Sequence, residues 1–195
     1  MNSVDERLND LSEIRSLMEH STKFLSLSGL SGVSAGTVGI AAYFIARQEM
    51  AHPWERTLAE YSLQAVVTLI LALGLAVYFS TKMALKKKIP IWTPAAKHLV
   101  ISLSVPLAAG GGFCYALVLH DLYWFIAPSM LLFYGLALLN SSKYTLKEIR
   151  ALGYCQLLLG LCGSYWPDFG LLLWGVGFGL LHIVYGAAMY LKYEK

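Results

Sequence analysis

The chain has 195 residues, of which 57% are hydrophobic and only 14% are charged, and its formal net charge is +3. So apolar a composition is typical of a protein that is surrounded by lipid. The small positive charge lies beside the apolar segments, so it indicates membrane orientation and argues against nucleic-acid binding. All three cysteines lie inside apolar segments, which argues against a disulfide framework: Cys114, Cys155 and Cys162.

Six continuous apolar runs predict six membrane-spanning helices. A helix rises about 1.5 Å per residue, so roughly 20 apolar residues cross a hydrocarbon core of about 30 Å. Lipid admits only helices or closed barrels, and runs that are continuous rather than alternating indicate helices. The fifth run is the shortest and contains Gln156. The predicted spans are residues 24–46, 61–80, 98–119, 122–140, 149–164 and 169–191.

Basic residues lie on alternate sides of these spans. Thirteen of the 15 lysines and arginines are in the N-terminal segment, the second and fourth loops and the C-terminal tail. The positive-inside rule therefore predicts that both termini are cytoplasmic. The cluster Lys86–Lys88 is interpreted as a topology determinant, with contact to anionic lipid headgroups as the alternative. Aromatic residues mark the predicted outer surface: Trp54, Tyr123, Trp124, Tyr165 and Trp166.

Residues 1–23, ahead of the first span, predict a cytoplasmic amphipathic helix, and residues 24–195 form the predicted transmembrane domain. Ser3 and Glu6 have the spacing of a capping box. The polar face is net acidic, which does not suit binding to anionic lipid. The apolar stripe is therefore expected to pack on protein, which is the chain's own loops, a second copy or a partner. It consists of Val4, Leu8, Leu11, Ile14 and Met18.

The second half of the sequence contains a candidate internal repeat. One constant shift places Tyr123-Trp124 on Tyr165-Trp166 and Gly135 on Gly177 without a gap. A fainter similarity extends to the first two spans. We therefore predict three tandem helical hairpins that share one membrane orientation, with any symmetry axis along the membrane normal.

Small residues recur at helical spacing in three of the predicted spans. Lipid gives little hydrophobic drive for helix association, so close approach at small residues and interhelical hydrogen bonds supply it. These stripes predict packing inside the bundle or an interface between copies of the chain. They are Ser28, Gly32, Gly36 and Gly39 in span one, Gly153, Gln156, Gly160 and Gly163 in span five, and Gly175, Gly179, His182 and Gly186 in span six.

The third span is predicted to be irregular. Pro106 lacks an amide donor and clashes with the preceding turn, and three consecutive glycines, Gly110, Gly111 and Gly112, follow it closely. Two interpretations remain open. One is a kink that serves packing, and the other is an unwound segment that lines a binding cavity, the setting in which irregular backbone is tolerated at membrane depth.

Few polar side chains lie inside the spans. His182 shares a helix face with the glycines of span six and is expected to contact another helix. It is interpreted as an interhelical hydrogen-bonding residue, with a ligand contact or a proton relay as the alternative. Gln64 and Gln156 are weaker candidates of the same kind. The sequence contains no catalytic constellation, phosphate-binding loop or metal-ligand spacing, so we expect no enzyme activity, metal or cofactor.

The stretch Glu13–Gly36, EIRSLMEHSTKFLSLSGLSGVSAG, followed by five further apolar spans, resembles a group of uncharacterised six-span bacterial inner-membrane proteins. The resemblance implies a bacterial cytoplasmic membrane and carries no activity with it. The fold class expected is thus all-α, a polytopic bundle of six transmembrane helices preceded by a cytoplasmic helix.

Two functions are compatible with the sequence. The first is a non-enzymatic membrane protein, of a regulatory or interaction type, that couples through its N-terminal helix to a partner or another copy. The alternative is a small-solute or proton-linked transporter or channel, with a cavity near Pro106–Gly112 and His182. The expected partners are the lipid bilayer and protein, and not nucleic acid.

Overall fold

The structure of the chain, a computed structural model, describes residues 28–50, 58–88 and 90–195. The predicted N-terminal amphipathic helix and its apolar stripe lie outside the described residues. All regular structure in the described ranges is helical, as the sequence predicts. The α-helices are α1 Gly29–Met50, α2 Leu58–Lys86, α3 Pro94–Leu119, α4 Ile126–Ser141, α5 Glu148–Tyr165, α6 Gly170–Trp174 and α7 His182–Tyr193.

Helices α6 and α7 form one continuous rod because a π-helix, Gly175–Leu181, joins them. We call residues 170–193 the final rod. Short 3₁₀ turns precede α4, α5 and α6, at Tyr123–Phe125, Ser142–Tyr144 and Pro167–Phe169.

Among the described residues, five helical stretches are long and apolar enough to cross a membrane: Gly29–Met50, Glu60–Lys86, Pro94–Leu119, Tyr123–Tyr144 and Pro167–Tyr193. These correspond to the first four predicted spans and the sixth, with ends that differ by a few residues. The fifth predicted span forms helix α5, but α5 is not among the five. Its first turn carries Glu148 and Arg150, and its middle carries Gln156, so its sequence is less apolar than that of the five.

The helices do not pack as three separate hairpins. Helix α1 packs along the final rod, and α4 packs most extensively on α5, which belongs to the next predicted hairpin. The final rod also contacts α4 and α5, so α1, α4, α5 and the rod form the centre. Helix α2 packs mainly on α1, and α3 mainly on α4. Two of the long apolar helices are thus peripheral.

The interface between α1 and the final rod consists of glycines in backbone contact. A Cβ atom at Gly36 would lie 2.7 Å from the carbonyl oxygen of Gly179, and one at Gly32 would lie 2.9 Å from Cα of Gly186. A Cβ at Gly175 would lie 2.7 Å from the ring of Tyr43. The structure therefore places the predicted stripes of spans one and six in an internal interface, where any side chain would force the two helices apart.

Ser28, the first residue of the predicted stripe of span one, has a different role. Its hydroxyl donates to Oε2 of Glu194 at 3.3 Å, and the amide of Gly29 donates to Oε1 of the same carboxylate. A carboxylate at this position pairs the free amides of the first helical turn and complements the positive end of the helix dipole. The residues that follow α7 thus cap α1.

The interface between α4 and α5 follows the same principle. A Cβ at Gly135 would lie 2.9 Å from the carbonyl oxygen of Gly153, and one at Gly160 would lie 2.7 Å from Cγ of Leu132. The stripe predicted for span five is therefore the face on which α4 packs. Leu131, on the buried side of α4, has no exposed surface.

Helix α3 is regular where the sequence predicts irregularity. It begins with Thr93 as its cap, whose hydroxyl accepts from the amide of Ala96 at 3.1 Å, and it continues through Pro106 to Leu119. Of the two open interpretations, the unwound segment at Pro106–Gly112 is therefore wrong, whereas a kink at Pro106 is compatible with a continuous helix. A proline removes only one helical hydrogen bond, and in lipid no water competes for the remaining ones.

The three glycines of α3 do not line a common cavity. A Cβ at Gly110 would lie 2.5 Å from Cβ of Phe133, so Gly110 allows α4 to approach closely. At Gly111 and Gly112 a Cβ would meet no atom within 4 Å. These two glycines are exposed on the outer face of α3, away from the centre of the bundle.

Candidate functional site: a polar network at the π-helix

The irregular backbone of this protein lies in the final rod, within Gly175–Leu181. A π-helix has i→i+5 hydrogen bonds and occurs frequently at functional sites. Here the carbonyl oxygen of Gly177 is available to side chains. It accepts from Nε2 of Gln156 on α5 at 2.8 Å and contacts Nδ1 of His182 at 2.8 Å. Two side chains from different helices therefore meet at one backbone oxygen.

This contact determines which nitrogen of His182 carries a proton. A carbonyl oxygen can only accept, so Nδ1 of His182 is the protonated nitrogen and donates to Gly177. The other ring nitrogen, Nε2, lies 2.8 Å from the hydroxyl of Tyr134 on α4. In the neutral imidazole Nε2 has a lone pair, so the Tyr134 hydroxyl donates to it.

The network is enclosed by the centre of the bundle. Gln156 is 0% exposed and His182 is 7% exposed. The ring of His182 stacks on Tyr134 and Phe178, with centroid separations of 5.4 and 5.9 Å. Trp174 continues the aromatic cluster, with its ring 5.2 Å from that of Phe178. Aromatic rings thus hold the imidazole in one orientation.

Only glycine fits at position 177, because the neighbouring side chains leave no room for a Cβ atom. A Cβ at Gly177 would lie 2.5 Å both from Oε1 of Gln156 and from Cδ2 of Leu131. The Gln156 amide therefore packs directly on the backbone of the final rod. Its Oε1 atom is buried and has no hydrogen-bond partner within the described part of the chain, and the same holds for Nε1 of Trp174.

The chemistry available to this network is limited. It contains a hydroxyl, an imidazole, an amide and a carbonyl, but no carboxylate, thiol or serine nucleophile. A proton can be shared between Tyr134 and Nε2 of His182. The carbonyl of Gly177 accepts the Nδ1 proton but has no proton to pass on, so the hydrogen-bonded chain ends there. Within residues 28–50, 58–88 and 90–195, no three metal-ligating side chains form a group.

The structure brings together two of the residues that the sequence singles out, His182 and Gln156. It places Gln64 elsewhere. Gln64 lies on α2. With its amide nitrogen facing α1, it donates to Oε1 of Glu49, near the end of α1, at 3.0 Å. The residues of the predicted third-span cavity, Pro106 and Gly110–Gly112, lie on the peripheral helix α3 and do not join the network.

Two members of the network, Tyr134 and Gly177, are missed by the sequence analysis as polar partners. Gly175, Gly177 and Gly179 alternate at a two-residue spacing, which cannot form a single face of a regular α-helix and is a signal of irregular backbone. Asn140, the repeat equivalent of His182, donates to the carbonyl of Ser102 on α3 at 3.0 Å and has no part in the network.

A second polar contact joins α5 to the end of the final rod. Oε1 of Glu148 accepts from Nζ of Lys192 and, at 2.8 Å, from the hydroxyl of Tyr193. Burial alone would raise the pKa of Glu148, but the hydrogen bonds from Lys192 and Tyr193 outweigh it, so the pKa lies below its ordinary value. The carboxylate is therefore ionised in the folded protein near neutral pH.

No protein-family model, curated protein or solved structure matches this chain. In the part of the chain that the structure describes, the fold defines only a class: all-helical, with five helices that are long and apolar enough to cross a membrane.

Proposed function

We propose that the chain is a non-enzymatic integral membrane protein that acts by association, with a partner protein or with a second copy. Its N-terminal amphipathic helix is the proposed contact. We further propose six spans in a bacterial cytoplasmic membrane with both termini in the cytoplasm, which the distribution of lysine and arginine supports.

The observation that carries this proposal is the filled centre of the bundle. Glycine backbones lie in contact between α1 and the final rod and between α4 and α5, and Gly177 has no room for even one methyl group. The buried side chains of His182 and Gln156 both donate to the same acceptor, the carbonyl oxygen of Gly177. A transport route needs an open or hydrated path, whereas these contacts favour a rigid platform.

The cap on α1 supports a role for the N-terminal helix in coupling. That helix is predicted to end at Lys23, five residues before Ser28, and both Ser28 and Gly29 bond to Glu194. A force on the N-terminal helix would therefore reach α1 and the end of the final rod together. Association at the cytoplasmic helix and the packing of the centre are linked in this proposal.

The test is photo-crosslinking from position Met18 in the native membrane, read as the mass of the crosslinked species. We expect crosslinks to a second chain or to one defined partner, and their loss in the Leu8→Asn/Leu11→Asn variant. The matched control Asn9→Ala/Ser16→Ala changes the polar face of the same helix and should keep them. Crosslinks that remain within one chain in every variant would contradict the proposal.

One observation favours a second candidate, proton-linked transport. The Tyr134–His182 hydrogen bond lies beside a π-helix within a membrane-length rod, and such helices occur at functional sites. Proteoliposomes with an internal pH dye distinguish the two candidates. Proton flux that is lost in His182→Gln but kept in the surface control His120→Gln would establish transport. Wild-type vesicles as tight as protein-free vesicles would leave association as the function.

A further inference from the structure

We propose that the loops at one end of the bundle form a binding surface for anionic phospholipid headgroups. This surface, which we call the basic rim, joins the α2–α3 loop to the α4–α5 loop. All of its side chains are exposed. The basic rim consists of Lys82, Lys86, Lys87, Lys88, Lys97, Lys143, Lys147 and Arg150.

A ring contact brings the two loops together. His98, in the first turns of α3, stacks on Tyr144, in the 3₁₀ turn after α4, with ring centroids 5.3 Å apart and planes 21° from parallel. Lys97 and Lys143 adjoin these two residues in the sequence. The start of α3, where the first basic loop ends, therefore lies against the α4–α5 loop, so the two basic loops adjoin at this point.

Among the described residues, no acidic side chain neutralises the positive charge of the rim. The sequence has no aspartate or glutamate between Glu60 and Asp121, and Glu148 is the only one between Asp121 and Asp168. Glu148 already accepts from Lys192 and Tyr193 at the end of the final rod. Among the described residues, no ion pair joins a carboxylate to a side chain of the rim. Within the described residues the rim therefore has no counter-charge of its own, and an anionic headgroup can supply one.

Apolar side chains beside the lysines identify the source of that anion. Leu85 is 71% exposed and Trp92 is 65% exposed, and both flank the Lys86–Lys88 cluster. Tryptophan beside lysine at the end of an apolar helix is typical of the membrane interface. Because α2 ends at Lys86 and α3 begins at Pro94, the loop lies at the level of the headgroups. A nucleic acid or an acidic protein would leave Leu85 and Trp92 uncovered.

The backbone of the loop fits this position. Lys88, which follows α2, has φ +53°, a left-handed conformation that ends the helix in a turn. The turn and the following Pro90 keep the loop short, so its lysines remain close to the two helix ends. A long flexible loop would instead carry the charges away from the bilayer surface.

The test uses the full chain in nanodiscs of phosphatidylcholine with or without phosphatidylglycerol, followed by release and native mass spectrometry of retained lipid. We expect selective retention of phosphatidylglycerol. The variant Lys86→Gln/Lys87→Gln/Lys88→Gln should lower its apparent affinity by roughly a hundredfold, since each lysine near an anionic surface contributes about a fivefold factor. The control Arg47→Gln/Arg56→Gln/Lys195→Gln removes three charges elsewhere and should keep retention.

Two further measurements keep the proposal open to refutation. If the glutamine variant does not fold, raised salt should still release phosphatidylglycerol from the wild-type protein, and the arginine variant Lys86→Arg/Lys87→Arg/Lys88→Arg should retain it. Equal retention of both lipids by the wild-type protein would overturn the proposal. So would displacement of phosphatidylglycerol by inorganic phosphate, by DNA or by an acidic peptide, because each outcome would identify a different anion as the ligand.

Discussion

The final rod and α2 are both long apolar helices, yet they have opposite surroundings. A Cβ at Gly179 in the rod would lie 2.6 Å from Cδ1 of Ile40, whereas a Cβ at Gly74 in α2 would meet no atom within 4 Å. No residue of the most apolar stretch of α2 is buried. In lipid, an apolar surface does not by itself draw a helix into the centre. Backbone contact at small residues distinguishes the rod from α2.

Substitution of glycines tests this comparison with the largest expected effect. Gly36→Leu would drive a side chain into the backbone of the final rod at Gly179, so we expect a loss of about 3 kcal/mol or more in the free energy of unfolding. The matched controls are Gly74→Leu in α2 and Gly112→Leu in α3, which should stay within about 0.5 kcal/mol of the wild-type protein. Unfolding in detergent, followed by circular dichroism, provides the measurement.

Equal destabilisation by Gly36→Leu and Gly74→Leu would contradict the comparison. It would mean that α2 has a partner in the assembled protein that covers the face around Gly74.

A double-mutant cycle in the polar network sharpens the comparison at intermediate magnitude. Tyr134→Phe and His182→Phe each remove one side of the same hydrogen bond, so their effects on unfolding free energy should not add. We expect a coupling energy of about 1 kcal/mol, within the range measured for hydrogen bonds between membrane helices. The pair Gln64→Leu and His182→Phe serves as the control, because these side chains belong to separate contacts and should show no coupling. Additive effects of Tyr134→Phe and His182→Phe would exclude the bond.

The smallest expected effect concerns Glu148 at the end of the rod. Its folded pKa is below the ordinary carboxyl value, so the fold favours the ionised form. Its stabilisation is complete above the ordinary pKa and is lost as the pH falls through the folded pKa. The pair is partly exposed, so we expect less than about 1 kcal/mol. Glu148→Gln should unfold with a weaker pH dependence on the acidic side than the wild-type protein, and an identical pH profile would contradict the role of the ion pair.

Hydropathy and length predict most of the helices, because crossing a bilayer requires a long apolar stretch. The run 149–164 likewise forms helix α5, although it is less apolar than the other five, and its polar Gln156 is completely buried. Gln156 and His182 stand out in the sequence as polar residues in apolar runs. Their contact at Gly177 cannot be recognised in the sequence, because it depends on the π-helix. The wider turn of a π-helix changes which residues of the rod share a face.

Prediction from local sequence is also misleading for α3. Pro106 and the three glycines after it suggest a break, but the helix is continuous and only Gly110 has a close neighbour. Local propensities measured in water overstate the effect of glycine in a helix that is surrounded by apolar groups. Which glycines are indispensable becomes clear only from the neighbouring helix.

The cap of α1 by Glu194 has a consequence for biosynthesis. Helix α1 is synthesised well before its partners, because Glu194, which caps it, follows Gly29 by 165 residues, and its glycine contacts lie in the final rod. In the proposed membrane protein, α1 therefore keeps its glycine face uncovered until the final rod has been inserted. Such an intermediate would be exposed to quality-control proteases for as long as translation of the intervening residues takes.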